Sequence, residues 1–195
     1  MRVVFVTALA LSGALQREFD ELQTRLYREN GLAGARALPA MIPLALFEDP
    51  AGGQIPEGFE QLLPRGPARL PELRPAGYVA RHGALYLLYS PETELSKLAR
   101  EAVAAGGESG LSPSEQPFPP APGVLIAVGP PELLVSLEPR LPPPPAAPIR
   151  QAWWQALRVT VHDDPVAAKR SVPWWYAVEY EVLAERRIAK ASRTG

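Results

Sequence analysis

The chain of 195 residues has no cysteine. That absence removes disulfides, thiolate nucleophiles and cysteine-bound metal together, and it fits a reducing compartment. Histidine is scarce: His82 and His162 are the whole supply of imidazole. Neither sign of charge dominates, because the formal net charge is -1 and the pI is near 6.2. There is no global pull toward nucleic acid or an anionic membrane, so strong DNA binding is not expected. No stretch approaches the roughly 20 apolar residues of a transmembrane helix. The opening MRVVFVTALALSGALQREF imitates a signal peptide. A single arginine precedes its apolar run, however, and an amphipathic pattern follows without a break, as in a first strand turning into a helix. A cytoplasmic protein with no membrane partner is expected.

With 47% hydrophobic residues, the chain is long enough to bury a core as one large domain or two lobes sharing one. Residues 2–10, RVVFVTALA, have the composition of a buried strand, and Ser12 stands at a helix N-cap position. Leu11, Leu15, Phe19, Leu22 and Leu26 recur at helical spacing, and Asn30 with Gly31 ends that helix. A strand follows at 41–47. Pro43 has no N–H to donate, which predicts an edge or a bulge there. The turn-rich connection after it holds one short helix near Phe59–Leu63, and GYVARHGALYLLY (77–89) predicts a hairpin or a bent strand around Gly83. Ser90 and Pro91 predict an N-cap with proline at the first helical position, and Gly106 and Gly107 a stop.

Flexible or proline-rich links are expected at about 106–122 and 139–148, the second containing PPPPAAP, a polyproline II connector that doubles as a possible partner motif. Between them lie the strand GVLIAVG (123–129) and a short element, ELLVSLEPRL. Two strands, 152–162 and 174–184, form a final half-solvated antiparallel hairpin, and a frayed tail is expected over about 186–195. This order predicts an α+β domain rather than alternating βαβ units. The pattern also suggests internal duplication, with late strands beginning near Met41 and Gly123, 82 residues apart (123 - 41).

In this arrangement the chain resembles the two-histidine phosphoesterases, the group that includes the 2′,5′ RNA ligases and cyclic phosphodiesterases. The segments that carry the resemblance are RVVFVTALALSGALQREFDELQ, GYVARHGALYLLYSPETELSKLAREAV and ALRVTVHDDPVAAKRSVPWWYAVEYEVL. It implies one bilobal domain over 1–195, two similar lobes of antiparallel sheet plus helix around a central cleft. It also implies a His-x-Thr motif in each lobe, one imidazole acting as general base and the other as general acid while the threonine hydroxyls hold the phosphate. Here Met41-Ile42-Pro43 and Gly123-Val124-Leu125 occupy the two motif positions. Met41, Pro43, Gly123 and Leu125 are therefore the expected cleft-lining residues, and none of them can exchange a proton. The expectation is a degenerate site with no catalytic residue and no cofactor, kept for a nucleotide, an RNA end or another ligand; no protein partner is identified.

Other constellations are weaker. Arg158, Thr160 and His162 alternate onto one strand face; with Tyr176 they would form a phosphate or carboxylate site, or an alternative enzyme, if that face meets the cleft. The run His162-Asp163-Asp164 imitates a metal cluster, but three consecutive strand residues cannot face one ion, so no metal is expected. His82 reads as a turn residue. Trp153, Trp154, Trp174, Trp175 and Tyr176 read as core and cross-strand packing before base stacking. An unrelated α+β binding or structural domain is the remaining alternative.

Overall fold

A computed structural model describes residues 2–32, 35, 38–48, 59–63, 70–81, 83–114, 123–161 and 178–189. Seven strands form one antiparallel sheet: β1 (Arg2–Ala10), β2 (Met41–Glu48), β3 (Arg74–Arg81), β4 (Ala84–Ser90), β5 (Gly123–Val128), β6 (Gln151–Val161) and β7 (Val178–Ala189). Their order across the sheet is β3-β4-β5-β2-β1-β6-β7. Three α-helices, α1 (Gly13–Asn30), α2 (Glu92–Glu108) and α3 (Pro131–Leu137), accompany short 3-10 turns at Phe59–Leu62 and Glu138–Arg140. The fold is α+β and bilobal.

Helix α1 buries Phe19, Leu22 and Leu26 at the expected spacing, and Gly31 ends it in the left-handed conformation (φ 64°), its N–H reaching the Leu26 carbonyl. Ser12 takes the N-cap position without a side-chain hydrogen bond. Helix α2 departs from the sequence reading at both ends. Pro91, not Ser90, is its N-cap, and it runs through Gly106 and Gly107 to Glu108. Gly106 lies against Phe47 of β2, where a Cβ would come within 2.0 Å of the ring, whereas Gly107 faces open space. Close approach, rather than termination, is the reason for glycine at position 106.

The two lobes meet at a seam between β2 and β5 that consists of one pair, Met41 with Leu125. Past that pair β2 turns to residues 112–114: the Glu48 N–H donates to the Ser112 carbonyl (3.0 Å) and the Ser114 N–H to that of Leu46 (2.9 Å). This satisfies an edge that β5 leaves open. Proline in β2 is tolerated for the same reason. Although the strand is central, Pro43 lies beyond the seam pair and beside a bulge, where no ladder bond to β5 is needed.

The duplication is present in the hydrogen-bonding register. Ala10, Leu9, Ala8, Thr7 and Val6 of β1 face Met41, Ile42, Pro43, Ala45 and Leu46 of β2. Leu88, Leu87, Tyr86, Leu85 and Ala84 of β4 face Gly123, Val124, Leu125, Ala127 and Val128 of β5 in the same pattern. The extra residue of the bulge is Leu44 in one lobe and Ile126 in the other. In each lobe the bulge turns two successive apolar side chains, Leu44 with Ala45 and Ile126 with Ala127, into the same core.

That core lies on the helix-bearing face, and the two long helices each pack on a strand of the opposite lobe, α1 on β5 through Gln23 and Ile126 and α2 on β2 through Gly106 and Phe47, while α3 packs on β3 and β4. A second, smaller apolar cluster occupies the other face. It is built from strand residues and Leu38, with no helical residue among the described ones. This helix-free face runs across the seam between the two lobes. At the chain's end, residues 186–189 pair in β7 with Gln151–Trp154 and are not part of a frayed tail, because alternation and ladder pairing continue through them. Residues 190–195 lie outside the described residues.

Candidate functional site

Alternation along β1, β2 and β5 places Val4, Val6, Met41, Pro43, Leu46 and Leu125 on the helix-free face, where, with Leu38 and Val159, they line one cavity. Its volume is about 10 Å³, and every lining residue is apolar. Such a space is at the lower limit for one water molecule and offers it no partner. Met41 and Leu125 are buried, and they face each other across the seam. Gly123 is buried at the start of β5, and a Cβ there would lie 2.4 Å from the Leu87 carbonyl oxygen, so backbone fills the space a side chain would need.

Of the polar residues singled out from the sequence, Arg158 and Thr160 lie elsewhere. Arg158 pairs with Phe5 and Thr160 with Val3, both residues of the helix-side core, so the two share the helix-bearing face, across the sheet from Met41 and Leu125. Arg158 forms an ion pair with Glu181 of β7 at 2.6 Å. His162 and Tyr176 lie outside the described residues, as do His82, Asp163, Asp164, Trp174 and Trp175. Trp154 is buried in the core, and Trp153 is half-buried on the opposite face. Tyr180 and Val182 share a face opposite Val159 and Leu157; both are exposed, at 47% and 40%. Among the described residues no group of three His, Asp or Glu could hold a metal ion, and no helix is long and apolar enough to cross a membrane.

Sequence reading missed the polar groups that the helix-free face carries on its β3–β4 side. Tyr86 of β4 pairs with Leu125 on one side and Val79 on the other, which puts its ring on the helix-free face. Arg81 of β3 pairs with Ala84 of the same face and is exposed. Burial pushes the Tyr86 phenol up to about 12, against the opposing effect of the Arg81 charge. It is a neutral O–H at physiological pH. The signal in the sequence was weak, since ARHGALYLLY reads first as a hairpin.

A larger groove, about 430 Å³, lies on the helix-bearing side between α1, Tyr78 and the proline segment; Glu18, Arg25, Pro142 and Pro145 line it. Pro142 and Pro145 are half-buried, while Pro143 and Pro144 are exposed. The Tyr78 and Tyr89 hydroxyls are buried without hydrogen-bond partners among the described residues. Burial raises the pKa of both, opposed for Tyr78 by Arg25 and reinforced for Tyr89 by Tyr78 and Glu18.

No protein-family model matches the chain, and no curated protein does. Solved structures do match. E. coli LigT complexed with 3′-AMP superposes over 96% of this chain and 99% of its own, at 14% identity and a TM-score of 0.55. A structure described as a phosphoesterase covers 97% and 100%, at 15% identity and a TM-score of 0.59. E. coli LigT complexed with ATP covers 97% and 100%, at 12% identity and a TM-score of 0.54. The chain shares the fold of these LigT and phosphoesterase structures. At these identities the likeness extends to the phosphoesterase fold and not to the identity of any side chain.

Proposed function

We propose that this chain is a non-catalytic relative of the two-histidine phosphoesterases, a single bilobal domain in the cytoplasm that keeps the cleft for binding a nucleotide or an RNA end. The observation that carries the reading is the make-up of the cleft floor. Met41, Pro43 and Leu125 line an apolar cavity of about 10 Å³, and Gly123 has no room for a side chain. Proton transfer to and from a phosphate ester needs a titratable group within hydrogen-bond reach of the reacting atoms. Methionine, proline, glycine and leucine supply none. A binding role is favoured by structural relatives of the same fold that were crystallised with 3′-AMP, NADP+ and ATP. The rival reading, an enzyme using Arg158, His162 and Tyr176, gains no support from the placement of Arg158, which faces away from the cleft floor and is paired with Glu181.

The test is a titration with a short RNA ending in a 2′,3′-cyclic phosphate, following the melting temperature and then analysing the RNA. A ligand that prefers the folded state must raise its stability. Stabilisation with intact RNA is the expected result. Turnover overturns the non-catalytic reading, and no stabilisation at high ligand concentration overturns the nucleotide-end reading.

A further inference from the structure

The duplicated register allows the two lobes to be compared position by position, and it isolates one asymmetry. Tyr86 of β4 corresponds to Ala8 of β1, because each faces the equivalent residue of the next strand, Leu125 or Pro43. Ala84 corresponds in the same way to Val6, which faces Leu46 as Ala84 faces Val128. The outer neighbour of Val6 is Leu157, and the outer neighbour of Ala84 is Arg81. One lobe thus places alanine and a buried leucine where the other places tyrosine and arginine, on the same face of the same framework. At the two matched positions the first lobe packs with apolar residues, Ala8 and Leu157.

Arg81 is exposed, and it has no ion pair or hydrogen bond among the described residues. It stands at the end of the edge strand β3, paired with Ala84 on the face that carries Tyr86, and its charge acts on the Tyr86 phenol. A guanidinium there is free to offer two parallel N–H donors, a geometry that matches phosphate oxygens. The floor beneath is apolar and excludes water, which strengthens a charge-assisted contact at its rim.

We propose that Arg81 is the anion-recognising residue of the cleft and takes the phosphate group of a bound nucleotide, so that recognition is confined to one of the two lobes. The assignment rests on the binding function proposed above. It is tested by measuring the Kd of 3′-AMP and of adenosine for the wild-type protein, Arg81→Ala and Arg81→Lys, with the melting temperature of each unliganded protein as the check on folding. The wild type is expected to bind 3′-AMP about tenfold or more tighter than adenosine, the scale of a charge-assisted contact. In Arg81→Ala that preference disappears while the adenosine Kd is unchanged. Arg81→Lys, which keeps the charge but not the fork, falls between, and it carries the test if the alanine variant fails to fold. A preference that survives in Arg81→Ala overturns the assignment and leaves the binding function standing. Equal wild-type affinity for the two compounds does the same. If the wild type binds neither, the binding function fails and takes the assignment with it.

Discussion

The side-chain amide of Gln23 donates to the Ile126 carbonyl at 2.9 Å, joining α1 to the bulge residue of the opposite lobe. A second contact, to the Leu38 carbonyl at 3.3 Å, completes the buried bridge. A bulge leaves its extra residue unpaired in the ladder, and a buried carbonyl without a donor is costly. Gln23→Leu is therefore expected to destabilise the fold by about 1–3 kcal/mol. Urea unfolding of the two proteins measures it; an unchanged midpoint would show that the bulge carbonyl needs no partner.

Gly106 and Gly123 owe their identity to different neighbours. At Gly106 the obstacle is the Phe47 ring, which can tilt, whereas at Gly123 it is the Leu87 backbone, which cannot. Gly106→Ala is expected to cost about 1–3 kcal/mol by overpacking and to be partly rescued by Phe47→Leu. Gly123→Ala should cost more and find no such rescue. Gly123→His, which would restore an imidazole at the expected motif position, should lower the melting temperature further. A Gly123→His protein as stable as the wild type would refute the account of the cleft floor.

Arg158 and Glu181 form a cross-strand pair whose side chains are 33% and 54% exposed. A pair so open to solvent contributes at most about 1 kcal/mol. Arg158→Ala should lower stability by no more than that and leave nucleotide affinity unchanged. Loss of nucleotide binding in this variant would return the polar face of β6 to consideration as the site.

Three phenols, Tyr78, Tyr86 and Tyr89, have pKa values raised by burial. A phenol whose folded pKa exceeds its unfolded value of 10.0 favours the folded state while it is protonated. That contribution is present below pH 10.0 and is lost as the pH rises toward about 12, the value for Tyr86. Stability should therefore fall over this alkaline range. Phenolate absorbance should show these tyrosines ionising with unfolding and not before. Tyr86→Phe is expected to flatten part of the fall; early ionisation of all six tyrosines would contradict the burial of the three.

How much of this was legible beforehand depends on the range of the interaction. The helix over Phe19, Leu22 and Leu26, the hairpin around Gly83 and the late strands at Met41 and Gly123 follow from local periodicity and turn chemistry, and they stand where the sequence places them. The sequence by itself also determined which residue types are present: it has no cysteine, and neither late strand holds a histidine. The tertiary structure decided what depends on contact between distant segments. It set Phe47 against Gly106 inside α2, and it placed Pro43 in a central strand because the seam is one pair long. It turned Arg158 and Thr160 away from the cleft floor and brought Arg81 and Tyr86 to its edge. Strand alternation assigns residues to two faces, but which face carries the helices is set by packing between the lobes, and no local pattern encodes that choice.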